Sequence, residues 1–172
     1  DHLVFRRAHQ NAKALIDAGD DPLRLVCEQA HRRGIRLYPC LLVQNPGVES
    51  ATVRCSDFRK DNPHLEIRAR KDVDDQLLWI DGLDFAHDEV RRERSAVIDE
   101  ALTEYDVDGF ELQLNIQPRF FHPDDVDTSI MTDWVGSVHE RVHSSGDDRE
   151  LAIRVPLELE TAYDVGLDVA EW

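Results

Sequence analysis

The sequence lacks several features that would assign a protein to a familiar class at once. None of its apolar runs is long enough to cross a membrane, so we expect no membrane span. Residues 1–7 are not followed by the apolar region of a signal peptide, which leaves the compartment undefined. Neither a P-loop nor a G-x-G-x-x-G motif occurs, and nucleotide binding of the usual α/β kind is therefore not expected.

Lysine is scarce, and positive charge in general is outnumbered. The 172 residues include 3 lysines beside 17 arginines and 23 aspartates beside 13 glutamates, for a formal net charge of -16. So acidic a chain repels a nucleic-acid backbone, and we expect no nucleic-acid partner. A surface rich in aspartate and poor in lysine suits a salt-rich habitat, although a GC-rich genome that favours arginine codons explains the same bias equally well.

Cysteine is sparse and scattered. Cys27, Cys40 and Cys55 show no C-x-x-C spacing, so they predict neither a disulfide framework nor a zinc site. Cys27 and Cys40 fall in apolar patterns and are expected to be buried thiols. The acidic runs at 72–75 and 124–127 lack the spacing of a calcium loop. We therefore expect no metal site and no cofactor.

What the sequence does contain is an alternation of amphipathic helices and apolar strands. Caps and apolar periodicity predict helices over 20–33, 88–105 and 126–142, a short helix or turn over 158–164, and strands over 35–43, 109–115 and 151–155. Residues 48–87 form an irregular insertion between the first strand and the next helix. Strands that alternate with helices in this way form a parallel sheet with right-handed crossovers.

That alternation leaves two fold classes. A parallel sheet with crossover helices is either an open doubly wound sheet or a (β/α)8 barrel. A complete barrel needs more than about 200 residues, and this chain has 172. A barrel formed by residues 1–172 would therefore be a partial one.

Polar residues at period two mark the strand over 109–115 as a candidate site. Glu111, Gln113 and Asn115 share one side of this otherwise apolar strand, and Arg154 interrupts the next strand in the same manner. Buried polar groups without partners cost roughly 1 to 3 kcal/mol each, so this pattern indicates either a ligand site or a hydrogen-bonded polar layer. Arg154 is expected to neutralise Glu111, as a structural ion pair or as a substrate clamp.

Further candidates follow the ends of the strands. Gln44 and Asn45 end the first strand, and Phe120 and Phe121 lie beyond the second. Amides beside exposed aromatic rings suit a sugar, although the two phenylalanines could equally hold their loop against the core. Glu158, just past the third strand, is either a catalytic carboxylate or an acid at the start of a helix.

Several segments resemble one known family. Residues 83–91 (LDFAHDEVR) and 105–112 (YDVDGFEL) are similar to the stretches L-D-F-A-H-P-E-V-R and Y-D-V-D-G-I-E-L-D of the glycoside-hydrolase-like family 10 group. Residues 30–35 (AHRRGI) and 62–64 (NPH) are similar to shorter elements of that group, and the matches together extend over roughly 20–115. The resemblance implies a (β/α)8 protein whose partner is a glycan or a small carbohydrate. We therefore expect residues 1–172 to form one domain, a partial parallel (β/α)8 barrel of the TIM type.

One departure from that family bears on activity. The family usually has an aspartate where this chain has Gln113, and an amide can hold a sugar but cannot attack it or accept a proton. A glycosidase needs two carboxyl groups, which Glu111 and Glu158 would supply, with the other polar candidates binding substrate hydroxyls. The first alternative is a carbohydrate-binding protein without hydrolysis. A sugar-phosphate isomerase or aldolase ranks last, because no lysine falls in a predicted strand.

Overall fold

A computed structural model of the chain describes residues 2–44, 55–69, 82–116 and 118–172. This part of the chain contains six α-helices and four short 3-10 turns. The α-helices are α1 (His2–Asp17), α2 (Pro22–His31), α3 (Asp57–Asp61), α4 (Asp88–Glu104), α5 (Thr128–Ser144) and α6 (Leu159–Asp164). The 3-10 turns are Pro63–Leu65, Ile67–Ala69, Pro123–Asp125 and Val169–Glu171.

Side-chain caps explain where two of the helices begin. The carboxylate of Asp21 accepts hydrogen bonds from the backbone N–H groups of Leu23 and Arg24, at 2.9 and 3.2 Å, and Pro22 occupies the first turn of α2. Asp127 caps α5 in the same way. Both starts lie within two residues of the predicted positions, because caps and apolar spacing depend only on neighbouring residues.

Among the described residues, three strands form a single parallel sheet in the order β1-β2-β3. They are β1 (Cys40–Leu42), β2 (Gly109–Gln113) and β3 (Glu150–Arg154). The register places Glu111 of β2 opposite Cys40 on one side and Ala152 on the other, and Gln113 opposite Arg154. The odd-numbered side chains of the central strand, β2, therefore lie between side chains of β1 and side chains of β3.

The predicted partial (β/α)8 barrel is wrong. The described residues form one open sheet of three strands, in which β1 and β3 each pair with β2 alone. A barrel requires tilted strands whose pairing continues around a closed ring, and nothing of that kind is present in the described part of the chain. The parallel pairing and the alternation with helices do agree with the prediction, because both occur in open sheets and in barrels.

The first strand is shorter and more exposed than its apolar sequence suggests. The prediction was a strand over 35–43 buried on both faces, whereas β1 covers Cys40–Leu42 and Ile35 is 55% exposed. Pro39 has no N–H to give to a ladder, so regular pairing begins only after it. Its carbonyl still accepts from the N–H of Glu111 at 2.8 Å, which keeps the preceding segment beside β2.

Helices α4 and α5 cover one face of the sheet and form the core with it. Phe110 and Leu112 point to this face and are 2% and 0% exposed. Phe85 and Trp134 meet edge to face above them, with ring centroids 5.3 Å apart. The indole N–H of Trp134 donates to the hydroxyl of Ser95 at 3.1 Å, which joins α5 to α4. The opposite face of the sheet carries the polar side chains.

The central strand begins at a glycine because its neighbours leave no room for a side chain. A Cβ at Gly109 would lie 2.2 Å from the backbone oxygen of Glu150 and 2.4 Å from the ring of Tyr38. Residues 109 and 111 share a face of the strand. The Tyr38 ring therefore lies against the start of β2 on the face that carries Glu111.

Candidate functional site

Four side chains on the face away from the helices form one hydrogen-bonded cluster, which we call the polar face: Cys40, Glu111, Gln113 and Arg154. Arg154 Nε lies 2.7 Å from Glu111 Oε1, and a terminal nitrogen of the same guanidinium donates to Oε2 at 3.2 Å. The thiol of Cys40 donates to Glu111 Oε1 at 3.2 Å and lies 3.9 Å from the amide oxygen of Gln113. Three strands thus each contribute to one cluster.

The parallel register brings these residues together. Glu111 and Gln113 are two positions apart on the central strand and so share a face. Cys40 is the register partner of Glu111, and Arg154 is the register partner of Gln113. The predicted Glu111–Arg154 ion pair is present. Cys40 is exposed rather than a buried thiol, and the sequence did not place it in the cluster.

The cluster fixes the charge of its carboxylate. The hydrogen bond from Cys40, followed by the bond and the positive charge of Arg154, lowers the pKa of Glu111, which is therefore ionised at neutral pH. Partial loss of water around the sulfur, together with the hydrogen bond to the Glu111 carboxylate and its charge, raises the pKa of Cys40 to about 11, so this thiol is protonated at the same pH. The polar face consequently holds one carboxylate, one guanidinium, one thiol and one amide.

A second cluster lies on the same face, at the opposite ends of the strands. The Tyr38 hydroxyl donates to Glu150 at 2.5 Å, and the Arg36 guanidinium lies 3.2 Å from the same carboxylate. These contacts lower the pKa of Glu150, mainly through the bond from Tyr38, and raise that of Tyr38. Residues 36, 38 and 40 alternate just as 111 and 113 do, and that period-two pattern could have predicted the cluster.

Gln44 is buried, and its side-chain amide forms hydrogen bonds with backbone groups. The side chain is 2% exposed and donates to the carbonyls of Leu83 and Arg119 at 2.7 and 2.6 Å, while its oxygen accepts from the Leu83 N–H at 3.2 Å. It therefore connects the end of β1 to the segment before α4 and to the segment after β2. The amide that was expected to bind sugar hydroxyls holds three parts of the chain together.

The two phenylalanines after β2 belong to the hydrophobic core. Phe120 is 1% exposed and packs edge to face on Phe85, with centroids 5.5 Å apart. Phe121 is 3% exposed, and its ring lies so close to Gly166 that a Cβ there would be 2.6 Å away. Neither ring has an exposed surface on which a sugar could stack.

Of the remaining predicted residues, Asn115 and Glu158 follow the carboxyl ends of β2 and β3. Asn115 is exposed just after β2, and Asn45 lies outside the described residues. Glu158 is exposed at the start of α6 and accepts a bond of 3.4 Å from Thr161. In the described part of the chain, no hydrogen bond or ion pair joins Glu158 to Glu111.

Across residues 2–44, 55–69, 82–116 and 118–172, no group of three or more histidine, cysteine, aspartate or glutamate side chains is placed to hold a metal ion. Over the same residues, no helix has both the length and the apolar character needed to cross a membrane.

Comparison with known proteins does not assign the chain to a family. No protein-family model matches the chain, and no curated protein matches it significantly. What the structure defines is a small α/β protein with a three-stranded parallel sheet, helices packed on one side and a charged, hydrogen-bonded face on the other.

Proposed function

We propose that the polar face binds carbohydrate through Glu111, Gln113 and Arg154. Sugar hydroxyls donate and accept hydrogen bonds, and this cluster offers an ionised carboxylate as acceptor, a guanidinium as donor and an amide that does both. The observation that carries the proposal is the paired contact between Arg154 and Glu111 beside the Gln113 amide. It lies toward the carboxyl ends of the strands, where open parallel sheets bind ligands.

Binding is supported better than hydrolysis. A glycosidase needs two carboxyl groups at a defined separation, one of them a proton donor. Glu111 has a lowered pKa and so does not suit the donor role, and both of its oxygens already accept bonds from Arg154 or Cys40. The amide of Gln113 holds a hydroxyl without reacting. The resemblance of 83–91 and 105–112 to a glycoside-hydrolase-like family points to the same class of ligand.

The test is a titration followed by backbone NMR on the 15N-labelled protein. Cellohexaose, maltohexaose and chitohexaose are added separately, and we expect at least one to shift the resonances of β2 and β3 in a saturable manner. Glu111→Gln removes the charge that orients Arg154, so it should weaken that binding about tenfold or more.

The matched control for this variant is Glu28→Gln. Glu28 is exposed on α2, where it pairs with Arg32 at 3.2 Å and, among the described residues, forms no hydrogen bond or ion pair with the polar face, so its replacement should leave the affinity unchanged. If none of the three oligosaccharides moves the resonances of the polar face, the proposal is wrong. It is equally wrong if both variants bind as the unmodified protein does.

Hydrolysis at the same face is the second candidate, because Glu158 is exposed four residues beyond Arg154 at the end of β3. Chromatography of the same oligosaccharides after incubation would detect products. Cleavage that is lost in Glu158→Gln but kept in Glu160→Gln, a neighbouring exposed glutamate, would establish this candidate. Cleavage that appears only in Gln113→Asp would instead show that binding is what remains of an enzyme.

A further inference from the structure

Two histidines lie one turn apart near the end of α5. His139 and His143 are both exposed, and their rings lie side by side, with centroids 4.1 Å apart and planes inclined by 35°. Residues four positions apart occupy the same side of a helix, so both imidazoles project from one face of α5. Residues 139–143 read HERVH, which has the form H-E-x-x-H by which a helix presents two histidines to zinc. The pair is thus arranged as two imidazole ligands of one ion would be.

A hydrogen bond to the backbone fixes the tautomer of His143. Its Nδ1 lies 3.1 Å from the carbonyl oxygen of His139. A carbonyl oxygen only accepts, so Nδ1 carries the proton, and in the neutral ring Nε2 keeps its lone pair. Metal-binding histidines are usually oriented in this way, with the other ring nitrogen donating to a carbonyl or a carboxylate. Among the described residues, no hydrogen bond or ion pair occupies Nε2 of His143 or either ring nitrogen of His139.

The spacing of the two rings is within reach of a shared ion. Two nitrogens that each lie about 2.0–2.1 Å from a tetrahedral zinc ion are roughly 3.3 Å apart. Exposed rings whose centroids are 4.1 Å apart can reach that separation by rotation of the side chains alone. The helix therefore need not change its backbone to hold the ion.

The surroundings of the pair favour a cation. His143 lies in the last turn of α5, where the helix dipole is negative, in a chain whose net charge is -16. The nearby guanidinium of Arg141 is paired with Asp99 at 2.7 Å. His139 also borders a cavity of about 400 Å3 between α5 and β3, and Glu171 is the one carboxylate among the described residues that line it. This cavity offers negative charge and space for water beside the imidazoles.

We propose that His139 and His143 bind one divalent transition-metal ion of the zinc type, with water in the remaining coordination positions. Imidazole nitrogen suits Zn²⁺, Ni²⁺ and Cu²⁺, whereas Mg²⁺ and Ca²⁺ prefer oxygen. The site is a binding site rather than a catalytic one, because catalytic zinc has three protein ligands and the described residues place no third one beside the pair. The expectation of no metal site rested on the cysteines and the acidic runs, and this pair belongs to neither.

The experiment observes the imidazole resonances of the 15N-labelled protein during a titration with zinc chloride. We expect the resonances of His139 and His143 to shift together and to saturate at one ion per chain. The resonance of His64, an exposed histidine outside α5, should stay in place. Magnesium chloride at the same concentrations is the control for general attraction of cations to an acidic surface, and it should not move the pair. The proposal fails if zinc leaves the pair unmoved or if magnesium moves it as far.

Single substitutions test the assignment of the two ligands. Loss of a group that only orients a metal ligand typically weakens binding about 10- to 100-fold, so His139→Ala and His143→Ala, which each remove a ligand, should weaken zinc binding at least about tenfold. His64→Ala is the matched control and should leave the affinity unchanged. Unchanged affinity in either variant of the pair, or an equal loss in His64→Ala, overturns the assignment. This site shares no residue with the polar face, so the metal proposal and the carbohydrate proposal can fail separately.

Discussion

Replacing Gln44 with methionine should lower the free energy of unfolding substantially, although it changes only one polar side chain. The change keeps the length of the side chain but removes two bonds to carbonyl oxygens, at 2.7 and 2.6 Å, and one bond from the Leu83 N–H, at 3.2 Å. Each such bond contributes about 1 kcal/mol net, so the loss is ~3 kcal/mol before any cost of the stranded backbone groups. That is a large share of the ~5 to 15 kcal/mol by which proteins are stable.

Urea unfolding followed by tryptophan fluorescence measures this loss, and thermal unfolding should show a midpoint lower by roughly 6 to 12 °C for a chain of this size. Gln29→Met is the control, since Gln29 is exposed on α2 and its replacement should change stability by less than about 0.5 kcal/mol. If Gln44→Met unfolds within about 1 kcal/mol of the unmodified protein, with the same dependence on urea, the structural role assigned to this amide is refuted.

Two further predictions concern protonation. Asp108 accepts a bond from His31 at 2.9 Å and raises the pKa of this histidine above 6.5, so the pair stabilises the fold fully below about pH 6.5 and less as the pH rises through the folded pKa. The thermal midpoint of His31→Gln should therefore lie below that of the unmodified protein at pH 6 and approach it at alkaline pH, and a gap that does not narrow would contradict this. With its pKa of about 11, Cys40 should react with iodoacetamide at pH 8 about tenfold more slowly than a free thiol. Glu111→Gln should accelerate that reaction, as read by peptide mass spectrometry, and an unchanged rate would show that the carboxylate does not hold the proton on sulfur.

Features that depend on nearby residues could be predicted from the sequence. The acidic residues before Pro22 and the apolar spacing of α4 and α5 place these helices within two residues of their observed bounds. The Glu111–Arg154 contact also follows from local patterns, since each residue interrupts an apolar strand and parallel pairing brings the two strands together. The polar residues at every second position of β2 therefore predicted Glu111 and Gln113, the two members of the polar face that lie on the central strand.

Features that depend on distant contacts could not be predicted in the same way. An open sheet with helices on one face only and a closed barrel produce the same alternation of apolar and polar residues along β2. Both need apolar residues beneath the helices, and both tolerate polar residues on the opposite face of the strand. Gln44 and Phe120 follow strands, where ligand residues often occur, yet they are buried by segments far away in sequence. Cys40 looked like a core residue because its neighbours are apolar, and only the strand pairing puts it beside Glu111.

The crowding at Gly109 has a consequence for the alignment of the strands. If β2 slid along β3 by two residues, a bulky acidic side chain would replace the glycine at the point where the Glu150 carbonyl and the Tyr38 ring leave no space. A slide by one residue would turn Phe110 out of the core. One missing side chain at the start of the strand thereby excludes the misaligned sheets in which Glu111 and Arg154 would never meet.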